Sequence, residues 1–214
     1  RILNQINLGA TTVGIAPYFE RGLDRMLAVS TYQGATESEG GTGAVLSVIS
    51  VDSLDISSAT VLERITLPTS FARGIHVKNS RIAIAMGYEG VGFYDGYLQD
   101  KIYLVDQFQL DTQKPVLDIE AFEPKAGEAT YYAVVAGEYD LSTNQLIDSE
   151  VVGEGGFHIL AVSADQGMRE LSSLDLPASR VRIEGDYAYL SAGDDGMIIV
   201  DISDLSNPSV VSRV

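Results

Sequence analysis

The chain has 214 residues, 45% of them hydrophobic and 21% charged, and carries a net charge of −16. That composition describes a folded globular chain, while the charge excludes a basic nucleic-acid footprint and opposes docking on an anionic membrane. Without cysteine, a disulfide framework and a thiolate metal site are excluded, and no apolar run approaches the roughly 18 residues of a membrane-spanning helix.

In chain order the sequence reads as short strands in units of four, a to d. Residues 1–8 (RILNQINL) read as a strand d. FERGLDRML (19–27) is the best helix candidate, but Gly22 interrupts it and the repeat places it in a hairpin. MLAVST (26–31), LSVISVD (46–52) and LERITLP (62–68) then give b, c and d of the first unit. In the second unit RGIHVKNSRIAIAMG (73–87) is a hairpin around Asn79-Ser80, residues that tolerate the positive φ of a tight turn. IYLVDQF (102–108) reads as strand c, and the apolar segment after Pro115 as strand d. The third unit is the most degraded. Between Pro124 and Tyr131 the chain is too short for a full strand a and turn, while YYAVVAG (131–137), FHILAVSAD (157–165) and RELSSLDLP (169–177) supply the rest. The fourth unit follows the second: SRVRIEGDYAYLSAG (179–193) with a Gly185-Asp186 turn, MIIVDIS (197–203), Pro208 and a final strand d over 210–214.

Strands b start near Met26, Arg81, Tyr131 and Tyr187, a spacing of roughly 50–55 residues that fits propeller repeats. Alternation with β-branched and aromatic residues supports strands, and no segment shows a convincing helical period. The expected fold is all-β: a β-propeller or part of one, with about four blades of four short antiparallel strands. The approximate repeats are 9–67, 68–123, 124–176 and 177–214, and the strand at 1–8 is assigned to a preceding or closing blade. A chain that opens on Arg1 and has one strand d too many is expected to be a fragment of a longer propeller.

DYAYLSAGDDGMIIVDISDLSNPSVV (186–211) resembles the LVIVD repeat. The Tyr-Ala-Tyr-Leu strand, the acidic Gly turn, Ile-Ile-Val-Asp-Ile-Ser and Asn-Pro carry the likeness, which is best in the last repeat and partial elsewhere. The resemblance implies propeller blades and a secreted or envelope protein. It brings no catalytic residue set.

In a propeller the b–c loops share one face, and here they differ in length: 32–43, 87–100, 137–156 and the minimal 193–196. Variable loops on a rigid scaffold are where function sits, so that face is expected to meet a protein or glycan partner. Tyr88, Phe93, Tyr94 and Tyr97 lie among glycines in the second loop and are the expected contacts, because Tyr with Gly joins rigid area to an adaptable backbone. The alternative is that these rings fold back onto the loop or the neighbouring blade. Of the carboxylates in the same loops, Asp95, Asp100, Asp194 and Asp195 are candidate Ca2+ ligands, although no twelve-residue calcium loop is present. No other cofactor is expected. Asp52, Asp106 and Asp201 follow apolar strands and read as turn caps.

His76, equivalent to Arg182, falls on an innermost strand, and His158 opens a strand c; neither belongs to a catalytic motif. The reading is a non-enzymatic binding or structural module, extracellular or in the cell envelope. Its terminal strands are expected to be covered by the rest of its polypeptide or by another subunit. The alternative is a metal-dependent, lactonase-like propeller hydrolase with a site in the central channel. Carboxylates converging with His76 would favour the enzyme.

Overall fold

Each apolar stretch pairs with its neighbour in sequence, so every sheet is built from contiguous chain. The computed structural model describes residues 5–8, 10–20, 23–31, 43–51, 56–69, 71–95, 101–111, 114–125, 129–137, 139–140, 145–146, 156–163 and 167–214. The first sheet is β1 (Thr11–Glu20), β2 (Leu23–Thr31), β3 (Ala44–Ser50) and β4 (Thr60–Thr66). The second is β5 (Ile75–Lys78), β6 (Arg81–Ala85), β7 (Val91–Asp95) and β8 (Tyr103–Phe108). The third runs from β9 (Val116–Phe122) through β10 (Tyr131–Ala136), past a small ribbon of β11 (Tyr139–Asp140) and β12 (Gln145–Leu146), to β13 (Gly156–Ser163) and β14 (Gly167–Leu174). The fourth is β15 (Arg180–Glu184), β16 (Tyr187–Ser191), β17 (Met197–Asp201) and β18 (Ser209–Arg213). All pairings are antiparallel, as expected for propeller blades.

Both short a–b hairpins form where the sequence places them. Asn79 and Ser80 both take positive φ (50° and 63°), the pair that a two-residue turn requires. Gly185 takes φ 57° at the matching turn of the fourth sheet.

The strand assignment changes in the second and third sheets. Residues 91–95, read above as loop, form strand c as β7. IYLVDQF therefore supplies the outer strand β8, and the segment after Pro115 opens the third sheet as β9. The third unit thus has its innermost strand, and the boundary expected at 123–124 moves back, between β8 and β9. The described part of the expected first strand, residues 5–8, is not a strand; residues 1–4 lie outside the described residues.

Successive sheets stack face to face, with β1 beside β5, β5 beside β9 and β9 beside β15. Three apolar layers fill the gaps. Leu27, Val29, Leu46 and Val48 meet Ile82, Ile84 and Tyr94 between sheets one and two. Ala83, Val91 and Phe93 meet Tyr132, Val134 and Leu160 between two and three. Ala133, Val135, Phe157 and Ile159 meet Leu190, Ile198 and Val200 between three and four. Each fully buried Leu, Ile or Phe contributes about 1.5–3 kcal/mol, so these layers hold the sheets in order.

The link between the first two sheets is stitched to both. The buried Thr69 hydroxyl lies 3.0 Å from the Met86 carbonyl and 2.9 Å from that of Phe71, and the Phe71 N–H reaches the same oxygen at 3.1 Å. Ala44 and Leu67 close the other side through Ala44 N–Thr69 O and Leu67 N–Ala44 O bonds of 3.2 and 3.0 Å.

Candidate functional site

Two places gather functional side chains: the turn between β6 and β7, and the inner rim where β5, β9 and β15 run side by side. The turn is tight. Gly87 and Gly90 take φ 61° and 78°, and Met86 and Gly90 bond across it. A Cβ at Gly90 would run into the Phe108 carbonyl oxygen, so a glycine is needed there. Tyr88 stands at the tip, 68% exposed. Its backbone is pinned from β8 and beyond: Gln109 Nε2 donates to the Tyr88 carbonyl at 3.2 Å, and Gln107 Nε2 to the Glu89 carbonyl at 2.9 Å. A fixed turn therefore presents a large ring to solvent.

The other expected contacts do not join Tyr88. Phe93 and Tyr94 sit on β7 and are buried, at 1% and 2% exposure. Phe93 packs edge-on against Tyr132 with centroids 4.9 Å apart. The Tyr94 hydroxyl points at Met86 Sδ, 3.7 Å away, and burial pushes it up to about 12. The fold-back alternative holds for these two rings, because Val91–Asp95 is a strand inside two apolar layers. Tyr97 lies outside the described residues.

The proposed calcium ligands also separate. Asp194 and Asp195 lie in a 3-10 turn between β16 and β17, whereas Asp95 ends β7, opposite Arg81 and away from the β6–β7 turn. Asp195 pairs with Arg213 at 3.7 Å, and Asp100 lies outside the described residues. Among the described residues no group of three or more His, Asp or Glu is placed to hold a metal ion. Length variation is not confined to one face either, since the long second connection, 96–102, joins β7 to β8 at the opposite end from Tyr88. Asp106 and Asp201 accept neighbouring backbone N–H groups, from Gln107 at 2.9 Å and Ser203 at 2.8 Å. They are not repeat equivalents, however: by register Asp201 matches Asp95. Asp52 lies outside the described residues.

The inner rim holds a charged cluster that the sequence reading missed. Asp118 and Glu120 alternate on β9 and face β15. Arg180 Nη1 lies 3.6 Å from Asp118 Oδ1, and Arg182 Nη1 lies 4.0 Å from Asp118 Oδ2 and 3.4 Å from Glu120 Oε2. The Val181 N–H donates to Asp118 Oδ2 at 3.2 Å. Desolvation outweighs these partners and raises both carboxyls above their ordinary values. A neighbouring Cβ has no room: at Gly74 it would strike the Asp118 carboxylate. His76, on β5, is half-buried and lowered to about 4, first by burial and then by Arg182 and Lys78. One signal was available. In VLDIEAF, two carboxylates two residues apart interrupt an otherwise buried strand, and they meet Arg180 and Arg182, spaced in the same way. His158 lies elsewhere, on β13, with Nδ1 3.4 Å from Glu170 Oε2. The alignment falls short of a full hydrogen bond, yet the contact holds the Glu170 carboxyl below its ordinary value.

Four radially stacked four-stranded antiparallel sheets define a propeller-type repeat protein. The family model of the LVIVD repeat matches residues 177–214, the whole of the fourth sheet. No curated protein matches the chain. Similar solved structures are propeller-like and share only the fold. Sqt1 from Chaetomium thermophilum superposes with a TM-score of 0.60 at 10% identity, over 92% of this chain and 45% of that one. The computationally designed Ika4 protein gives 0.52 at 11% identity, over 94% and 98%. The periplasmic gluconolactonase PpgL of Pseudomonas aeruginosa gives 0.51 at 9%, over 92% and 68%. The chain thus spans under half the length of Sqt1.

Proposed function

We propose that the chain is a binding or structural module, extracellular or in the cell envelope, which meets a protein or glycan partner through the end of the sheets that carries Tyr88. The observation that carries this reading is the ring itself. It is 68% exposed on a turn whose two carbonyls are held by Gln107 and Gln109, so binding would order little that is not already ordered. The inner-rim carboxylates support the same reading. Each is paired with an arginine of the next sheet, which joins sheets three and four. The test is a pair of arrays, one of glycans and one of proteins, probed with the wild-type chain and with Tyr88→Ala. The expected result is binding to one class that Tyr88→Ala loses at unchanged melting temperature. Binding that Tyr88→Ala fully retains would overturn the reading.

A second reading is a metal-dependent hydrolase of lactones. Asp118, Glu120, Arg182 and His76 lie on neighbouring inner strands, and PpgL, named as a gluconolactonase, shares the fold, but both carboxylates are taken by arginines and the described residues gather no three ligands for a metal. Turnover of gluconolactone with added Ca2+, abolished by Glu120→Gln, would replace the first reading with this one.

A further inference from the structure

The connection from β17 to β18, residues 202–208, reaches back over the outer edge of the third sheet. Leu205 and Leu171, the extra residue of a bulge in β14, both pack against the apolar layer between sheets three and four, and Ser172 Oγ donates to the Leu205 carbonyl at 2.6 Å. One gap earlier the connection from β7 to β8, residues 96–102, does likewise: its last residue, Ile102, packs in the layer between sheets one and two. The connection from β13 to β14 is residues 164–166, long enough to turn a hairpin and too short to reach across to β8. The side chains at the mouth of the gap between sheets two and three are accordingly uncovered. Val105, the bulge residue of β8, holds the place that Leu171 holds in β14 and is 45% exposed. Tyr103, two residues before it, is 42% exposed, and Val162, on the facing side of β13, is 39% exposed. By the same register Asp106 stands where Ser172 stands in β14. Its Oδ1 accepts the Gln107 N–H at 2.9 Å, and no cation of the described residues pairs with it.

We propose that this mouth is a docking groove for an extended segment of a protein partner, whose aliphatic side chain lies on Val105 between Tyr103 and Val162 and whose adjacent lysine or arginine meets Asp106. The chain itself supplies the template for the first contact, since Leu205 occupies the equivalent place on Leu171. The second contact follows from the one exchange between the two places. Where Ser172 donates a hydroxyl proton to the segment above it, Asp106 offers a carboxylate, so the occupant must bring the donor, and a cation is the donor that a carboxylate holds most strongly. Both walls already have their neighbours in the chain beside them, so a further sheet of the same polypeptide does not close this gap. A net charge of −16 sets a second copy at a disadvantage and favours a basic partner. The groove lies toward the opposite end of the sheets from Tyr88 and does not depend on the function proposed for that turn.

The test is selection of random short peptides, displayed on phage, against the 214-residue chain, followed by fluorescence anisotropy with the selected peptides as synthetic probes. The expected peptides share an aliphatic residue beside a lysine or arginine. Val105→Asp should weaken their binding by about tenfold or more. Asp106→Asn should weaken it and flatten its dependence on salt, and Tyr88→Ala should leave it unchanged. Val162→Lys, on the facing wall, decides the matter if Val105→Asp alters the circular-dichroism spectrum. Failure to enrich any peptide overturns the proposal. So does binding that Val105→Asp and Val162→Lys leave intact, or binding by peptides that lack a basic residue. A chain that sediments as a dimer and is split by Val105→Asp overturns it as well, because the groove would then belong to a second copy.

Discussion

The second and fourth sheets share one register and differ in what closes over them. In the second sheet a single strand, β7, serves two apolar layers, with Tyr94 on one side and Phe93 on the other. In the fourth, β17 buries Ile198 and Val200 on one side and leaves Met197 and Ile199 partly in water on the other. The difference teaches that repeat position does not fix a residue's role; the presence of a neighbouring sheet does. It also explains why aromatics in the second unit are core while tyrosines in the fourth are surface.

Substitutions at matched positions should widen or collapse that contrast. The largest effect is expected from Phe93→Ala, at about 3–5 kcal/mol, because it empties a site against Tyr132. Ile199→Ala, its register equivalent, should cost only about 1 kcal/mol in a dilute sample, since its site is open to solvent and can relax. Urea titrations of the two variants compare them directly, and equal losses would erase the distinction between the sheets. Next come the turns. Gly90→Ala combines positive φ with a collision at the Phe108 carbonyl and should cost about 2–3 kcal/mol, whereas Gly185→Ala, with open space around it, should cost about 1.

Between the two sheets lies the rim cluster. Asp118→Ala leaves the Val181 N–H and two arginines without their acceptor, at about 2 kcal/mol by thermal melting. His76 gives a pH signature of opposite sign to the raised carboxyls nearby. Its folded value, about 4, lies below the ordinary histidine value of 6.5. Its contribution is therefore complete above pH 6.5 and is lost as pH falls from there toward 4, where the unfolded chain takes up the proton first. His76→Gln should flatten that part of a stability–pH profile. The smallest effect is expected from Tyr88→Ala, under about 0.5 kcal/mol, because the ring packs against solvent.

Much of the architecture was legible, and the lapses have physical causes. The fourth unit reads correctly because its strands alternate cleanly and Gly185 marks its turn. The second was misread at one point, where VGFYD looked like loop. Gly92 interrupts its apolar pattern, but the glycine is there because a Cβ would meet Met86 and Tyr94, 2.8–2.9 Å away. Once that strand was missed, Tyr103–Phe108 and Val116–Phe122 were each read one place too early in the order of strands, as c and d of the second unit, and Phe93 and Tyr94 were placed at the surface. Of the three expected aromatics among the described residues, Tyr88 alone is exposed on its turn. The Asp118–Arg182 cluster stayed hidden because it joins residues 64 apart, on strands whose adjacency follows only from the correct boundary of the third sheet.

The linker at Thr69 has a consequence for how such a chain could lengthen. Leu67-Pro68 and Leu176-Pro177 close two sheets with the same pair of residues, and both leucines are anchored inside. After the first pair the Thr69 hydroxyl ties the path into the next sheet; after the second, Ser179 does so through two bonds to the Ser191 carbonyl, at 2.8 Å from its N–H and 3.2 Å from its hydroxyl. A seam of this kind is a natural joint for gene duplication. A copied segment running from one Leu-Pro to the next would bring two whole four-stranded sheets, one apolar face for each neighbour and the hydroxyl that fastens it in place.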